Sequence, residues 1–211
     1  MHQIIDLILH VDRHLADFIV QHGTATYGLL FSVIFAETGF VITPFLPGDS
    51  LLFAAGALSV TTTLSPILVF LVLGTAAILG DNLNYWIGRL IGERIVNAKR
   101  PILNKRYLAR AHHFYEDHGP VMVVIARFVP IIRTFAPFVA GISRMDYRTY
   151  LPYSIAGGAA WVALFTFGGF FFGNIPVVKT HFSLVTLGII IISLVPAVIE
   201  VLRSRSHGAD K

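Results

Sequence analysis

The chain has 211 residues, 55% of them hydrophobic and 13% charged, against roughly 25% charged in an ordinary soluble domain, and its mean hydropathy is +0.72. So much apolar surface exceeds what one aqueous fold can bury, which predicts an integral membrane protein and excludes disordered, collagenous and low-complexity classes. The absence of cysteine excludes disulfide scaffolds, thiol nucleophiles and thiolate metal sites, and a net charge of +4 spread between apolar runs fits cytoplasmic loops rather than a nucleic-acid-binding face.

Over residues 1–22, Ile4, Ile5, Ile8, Val11, Leu15, Phe18 and Ile19 recur at helical spacing, which predicts an amphipathic helix lying in the membrane interface. Asp6, His10, Asp12, Arg13 and Asp17 interrupt any apolar core there, so no cleaved signal peptide is expected. A span, slightly short, follows at 25–42. Residues 43–60 are apolar but broken by Pro44, Pro47 and Gly48, too short to cross, and read as a re-entrant hairpin. A full span is predicted at 64–88. Between 103 and 118 the spacing of Tyr107, Leu108, Ala111, Phe114 and Tyr115 gives a second amphipathic helix, ended by Gly119.

Residues 119–142 carry Pro130 and Pro137 between apolar legs. Each leg is about 11 residues, or roughly 16 Å of helix, half the hydrocarbon thickness, so this segment reads as a second re-entrant hairpin. Further spans are predicted at 151–173 and at 182–202, the latter containing Pro196, with 203–211 as a tail. The fold class is thus an all-α integral membrane protein, a single membrane domain over 1–211 in which a helical bundle holds two opposed re-entrant hairpins. An internal echo relates Phe45-Leu46-Pro47 and Ala54-Ala55-Gly56 to Phe128-Val129-Pro130 and Val139-Ala140-Gly141, the pattern of an inverted repeat whose site lies where the broken helices meet.

Basic residues set the orientation. Arg94, Lys99, Arg100, Lys105, Arg106 and Arg110 cluster after the second span, and Arg144, Arg148, Arg203, Arg205 and Lys211 mark later connections. The positive-inside rule then places 94–118 and both termini in the cytoplasm, and 61–63 and 174–181 outside.

Five charges fall inside these apolar segments: Glu37, Asp49, Asp81, Arg127 and Arg133. One such residue at a helix centre costs on the order of 2.5 to 3.5 kcal/mol, so they must pair, neutralise or line water. Facing hairpins would bring Asp49 and Arg133 into one buried polar cavity. Arginine offers a planar fork that grips phosphate oxygens two at a time, which makes Arg127 and Arg133 the candidate phosphate binders; a purely structural ion-pair network is the alternative. Glu37 and Asp49, balanced between desolvation and nearby arginines, are the candidates for proton coupling. Asp81, Asn82, Asn84 and Tyr85 form a polar patch on one side of a span and read as packing support, while Pro47, Gly48, Pro130 and Pro137 shape the breaks. Arg89 reads as snorkelling to the interface, and Trp86 and Trp161 as packing or interfacial anchors. The nine histidines show no ligand spacing, even at His112-His113, so no metal is expected. With no phosphate loop, zinc motif or nucleophile elbow, neither an enzyme nor a cofactor is expected.

The runs Glu37-Thr38-Gly39, Pro44 through Ser50, Gly80-Asp81-Asn82 through Tyr85, Gly88-Arg89, Arg127-Phe128-Val129-Pro130 through Arg133-Thr134, and Pro137 through Gly141 resemble the bacterial DedA family of inner-membrane proteins over almost the whole chain. The resemblance implies two opposed re-entrant hairpins, shared with the SNARE-associated or VTT-domain lipid scramblases. It also implies a part in membrane homeostasis, and in some members the movement of undecaprenyl phosphate or phospholipids between leaflets. The family's embedded acids match Glu37 and Asp49, and its essential arginines match Arg127 and Arg133. The expected function is an inner-membrane lipid transporter for a phosphate-headed lipid, with proton coupling allowed. The alternatives are a small-cation or drug:proton antiporter and a non-transporting membrane-organising protein. Membrane lipids are the expected partners and nucleic acid is not; protein partners and oligomeric state, a homo-oligomer included, stay open.

Overall fold

The computed structural model describes residues 11–40, 48–96, 119–180, 184–185 and 188, and among these the regular structure is all helical. In chain order the helices are α1 (Val11–His22), α2 (Ala25–Gly39), α3 (Gly48–Leu58), α4 (Pro66–Val96), α5 (Val121–Ala126), α6 (Pro130–Ile142), α7 (Tyr147–Phe172) and α8 (Pro176–Thr180). Pro66–Ile91 within α4 and all of α7, 26 residues each, are long and apolar enough to cross a bilayer, since about 20 residues suffice. The predicted amphipathic helix at 103–118, residues 41–47 with Pro47 at the start of the first predicted hairpin, and most of the predicted span at 182–202 lie outside the described residues.

The chain divides into two compact units, one built from Met1–Val33, Leu46–Leu73 and Val162–Lys211, the other from Ile34–Phe45 and Gly74–Trp161. In the first, α1 packs on α3. Leu15 and Ile19, part of the stripe expected to face the membrane interface, are buried. The 11-residue α3 is buried along nearly its whole length, from Gly48 and Asp49 to Ala57, because glycine lets it approach α7 backbone to backbone. A Cβ on Gly56 would strike the carbonyl oxygen of Thr166, and one on Gly169 the carbonyl of Phe53. Asn174 Nδ2 donates to the Ala57 carbonyl at 2.9 Å, which also accepts from Val60 N at 3.4 Å, so a side chain supports the end of α3.

This close approach predicts that Gly169→Ala costs about 1 to 3 kcal/mol of stability through overpacking against backbone that cannot yield. Gly168→Ala, next to it with nothing within 4 Å of an added Cβ, should be neutral. Thermal unfolding of the two purified variants in detergent makes the comparison.

In the second unit, the end of α2 meets α4 where Gly39 and Gly80 face each other, the would-be Cβ of Gly39 lying 3.4 Å from Gly80 Cα. Segment 119–142 is less even than its two equal predicted legs. It forms a six-residue α5 and a 13-residue α6, both shorter than a span. The break falls at 127–129, where Phe128 N and Val129 N bond back three residues to Ile125 and Ala126 at 3.1 Å each, tightening the end of α5. Val129 is then extended, and Pro130 opens α6, where its missing N–H costs nothing. Pro137 was expected in the break but lies inside α6; it cannot donate to the carbonyl four residues back, that of Arg133. Gly141 sits against the Tyr85 carbonyl of α4 and Gly88 against that of Phe138, so α6 and α4 also touch backbone to backbone.

Candidate functional site

Within the second unit, four of the predicted residues form two buried ion pairs. Arg133, in the first turn of α6, donates through Nη2 to Glu37 Oε1 on α2; the side chains are 7% and 0% exposed. Arg127, capping α5, pairs through Nη2 with Asp81 Oδ2 on α4. Separating either pair would leave a charge in low dielectric, so the pairing answers the insertion cost that the sequence raises. Asp49 belongs to the other unit, buried in the first turn of α3.

The two pairs have different surroundings. Ser154 Oγ on α7 donates to Asp81 Oδ2 at 3.1 Å, and Tyr150 OH donates to the Asp81 carbonyl at 3.1 Å. Gly157 and Gly158 line the Arg127 side chain so closely that a Cβ on either would lie 3.1 and 3.4 Å from its Cδ and Cζ. Arg127 is thus clamped between α4 and α7. Arg133 has an aromatic neighbour: its Cζ lies 4.8 Å from the centroid of the Trp161 ring, and Trp161 is 1% exposed.

Asn84, fully buried on α4, sets the register of the Glu37–Arg133 pair. Its Nδ2 donates to the carbonyl of Thr38 at 3.2 Å and to that of Thr134 at 2.6 Å, the residues next after Glu37 and Arg133. One carboxamide therefore holds the backbone of both helices that carry the pair. Asn82 and Tyr85 make hydrogen bonds of their own beside these pairs. Tyr147 OH donates to Asn82 Oδ1 at 2.8 Å, and Tyr85 OH donates to the Met145 carbonyl at 2.6 Å while its ring stacks on Tyr150 at 4.4 Å. Arg89 does more than snorkel: its Nη1 donates to Tyr85 OH at 2.6 Å and to the Met145 carbonyl at 3.1 Å.

Three features of this region do not follow from residue spacing: Ser154 at Asp81, the contact of Trp161 with Arg133, and the bridging by Asn84. The Gly157-Gly158 pair was the available signal for the first, since adjacent glycines inside an apolar helix mark a close approach. Among the described residues no group of His, Asp and Glu could hold a metal ion.

The model of the VTT domain matches residues 46–171, which include every residue of the two pairs except Glu37. Protein DedA of Escherichia coli (strain K12) is 48% identical over 209 residues, covering 98% of this chain and 95% of that protein. An uncharacterized membrane protein of Mycobacterium tuberculosis (strain ATCC 25618 / H37Rv) is 38% identical over 185 residues, covering 86% of this chain and 81% of its own. The inner membrane protein YghB of Escherichia coli (strain K12) is 34% identical over 159 residues, covering 75% and 73%. No solved structure matches. A match of this extent, together with an apolar helical chain that buries paired charges, establishes that the chain belongs to the DedA family of membrane proteins and carries its VTT domain.

Proposed function

We propose that this protein is an inner-membrane lipid transporter, flippase- or scramblase-like, that takes the phosphate of an anionic lipid at Arg133 while the tail stays in the bilayer. The observation that carries this reading is the Glu37–Arg133 pair, buried at the start of a helix whose N-cap, Val129, offers no side-chain hydrogen bond. A guanidinium beside uncapped N–H groups is a setting in which phosphate oxygens are favoured. In this reading Glu37 is the internal counter-ion that phosphate displaces, and a proton on Glu37 eases the displacement, which couples occupancy to protonation. Undecaprenyl phosphate and phospholipids both present the required group. Asp49 serves as the second proton-coupling acid and Arg127 as the second phosphate ligand.

The opposed re-entrant hairpins belong to the same proposal. Supporting them, Gly56 and Gly141, paired by the internal echo, each press a short helix against a carbonyl of a long one, Thr166 and Tyr85 respectively. The Asp81–Arg127–Ser154 cluster favours a second reading for that pair alone, a structural brace.

Binding tests the reading. Purified protein in detergent should bind a lipid bearing a phosphate monoester and not the matching diacylglycerol, and Glu37→Gln should strengthen binding by removing the competing carboxylate. Equal binding of both lipids would refute phosphate recognition. The inner membrane and the orientation are tested with single cysteines in this cysteine-free chain: an impermeant reagent applied outside should label position 62 and leave position 105 unlabelled. Labelling at 105 would reverse the topology.

A further inference from the structure

Trp161 is too buried to be an interfacial anchor, which keeps its indole N–H at the wet headgroup level; it is 1% exposed, with Arg133 Cζ 4.8 Å from its ring centroid. A guanidinium has two separate binding surfaces: its N–H donors point outward in the plane, and its faces stack on aromatic rings. Glu37 accepts from Nη2 and the guanidinium carbon lies over the Trp161 ring, so the ring engages the cation without taking the Nη2 donor. We propose that Trp161 is the positioning residue of the phosphate site. Its ring holds the Arg133 guanidinium in place while Glu37 and an incoming phosphate exchange at the edge.

This inference rests on Arg133 being the phosphate ligand. Its physical core is the choice of neighbour. When Glu37 swings away or takes up a proton, a buried cation needs another attractive partner or it is drawn out of position. A second carboxylate would supply that attraction, but it would repel phosphate and compete for the same N–H groups. The negative face of an indole attracts the cation without adding a net charge or accepting an in-plane hydrogen bond. Of the aromatic side chains Trp does this best.

The experiment uses the full chain with Trp86→Phe, which leaves Trp161 as the sole tryptophan of the two, and dodecyl phosphate as the probe. Binding is followed by calorimetry and, separately, by Trp161 emission. Dodecyl phosphate is expected to shift the emission, and Arg133→Gln to abolish that shift. Trp161→Leu should weaken binding by about tenfold and Trp161→Phe by only a few-fold, with both variants folded by thermal unfolding. Should Trp161→Leu fail to fold, Trp161→Tyr and Trp161→Phe carry the comparison, both expected to bind more weakly than wild type and to keep the Arg133 dependence. Wild-type affinity in the Leu variant, or probe binding with unchanged Trp161 emission, would overturn the role of Trp161 and leave the phosphate site standing. No binding to the wild-type chain would overturn the phosphate site and the inference with it.

Discussion

Arg133→Lys is expected to lower lipid transport by on the order of ten- to a hundredfold while leaving the amount of folded protein in the membrane nearly unchanged. Lysine keeps the positive charge, so the attraction to Glu37 and the cost of insertion change little. What disappears is the planar fork, and with it bidentate contact to phosphate and the guanidinium contact over the Trp161 ring. A charge-assisted hydrogen bond is worth about 1.5 to 3 kcal/mol, and each 1.4 kcal/mol is about tenfold in affinity. Arg133→Ala should behave differently, lowering protein levels as well, because it strips a buried carboxylate of its paired cation. Transport normalised to folded protein separates the two effects.

Asp81→Leu is expected to cost about 3 to 5 kcal/mol of stability, because it strands the buried Arg127 cation and removes the acceptor of Ser154. Replacing both partners, Asp81→Leu with Arg127→Met, should recover most of that loss, since apolar residues of similar volume can substitute for a buried pair. Thermal unfolding of the two variants gives the comparison. Transport by the doubly neutral variant then reports whether Arg127 touches lipid or only braces α4 against α7. Equal stability of the single and double variants would show that the ion pair does not hold these helices together.

Composition and hydropathy made the membrane class and the helical fold legible, because an apolar fraction this high has few aqueous alternatives. The intramembrane charges were legible for the same reason: their cost requires that they pair, neutralise or line water. Which acid meets which arginine was not legible. Periodicity places Asp81 on one side of a span, but its meeting with Arg127 depends on where α5 breaks, a backbone event at 127–129 that involves three-residue hydrogen bonds as well as Pro130. Pro137 misled in the same way, since a proline inside a helix and one in a break look alike in sequence, and α6 carries it within its 13 residues. Asn84 was visible only as part of a polar patch; its bridging of Thr38 and Thr134 spans contacts 46 and 50 residues apart, a separation beyond the reach of local pattern. The apolar face of α1 was readable, but an apolar stripe does not say whether lipid or α3 covers it.

Leaflet exchange in proteoliposomes tests phosphate transport at Arg133 most directly. Vesicles carrying wild-type protein, Arg133→Lys or the Asp81→Leu, Arg127→Met double variant, reconstituted to equal amounts of folded protein, are loaded with a fluorescent phosphate-headed lipid and treated with an impermeant quencher. The wild-type chain is expected to bring the inner-leaflet label to the quencher on the order of ten- to a hundredfold faster than the Arg133→Lys vesicles do. Exchange by Arg133→Lys at the wild-type rate, or no exchange beyond protein-free vesicles by the wild type, would contradict it.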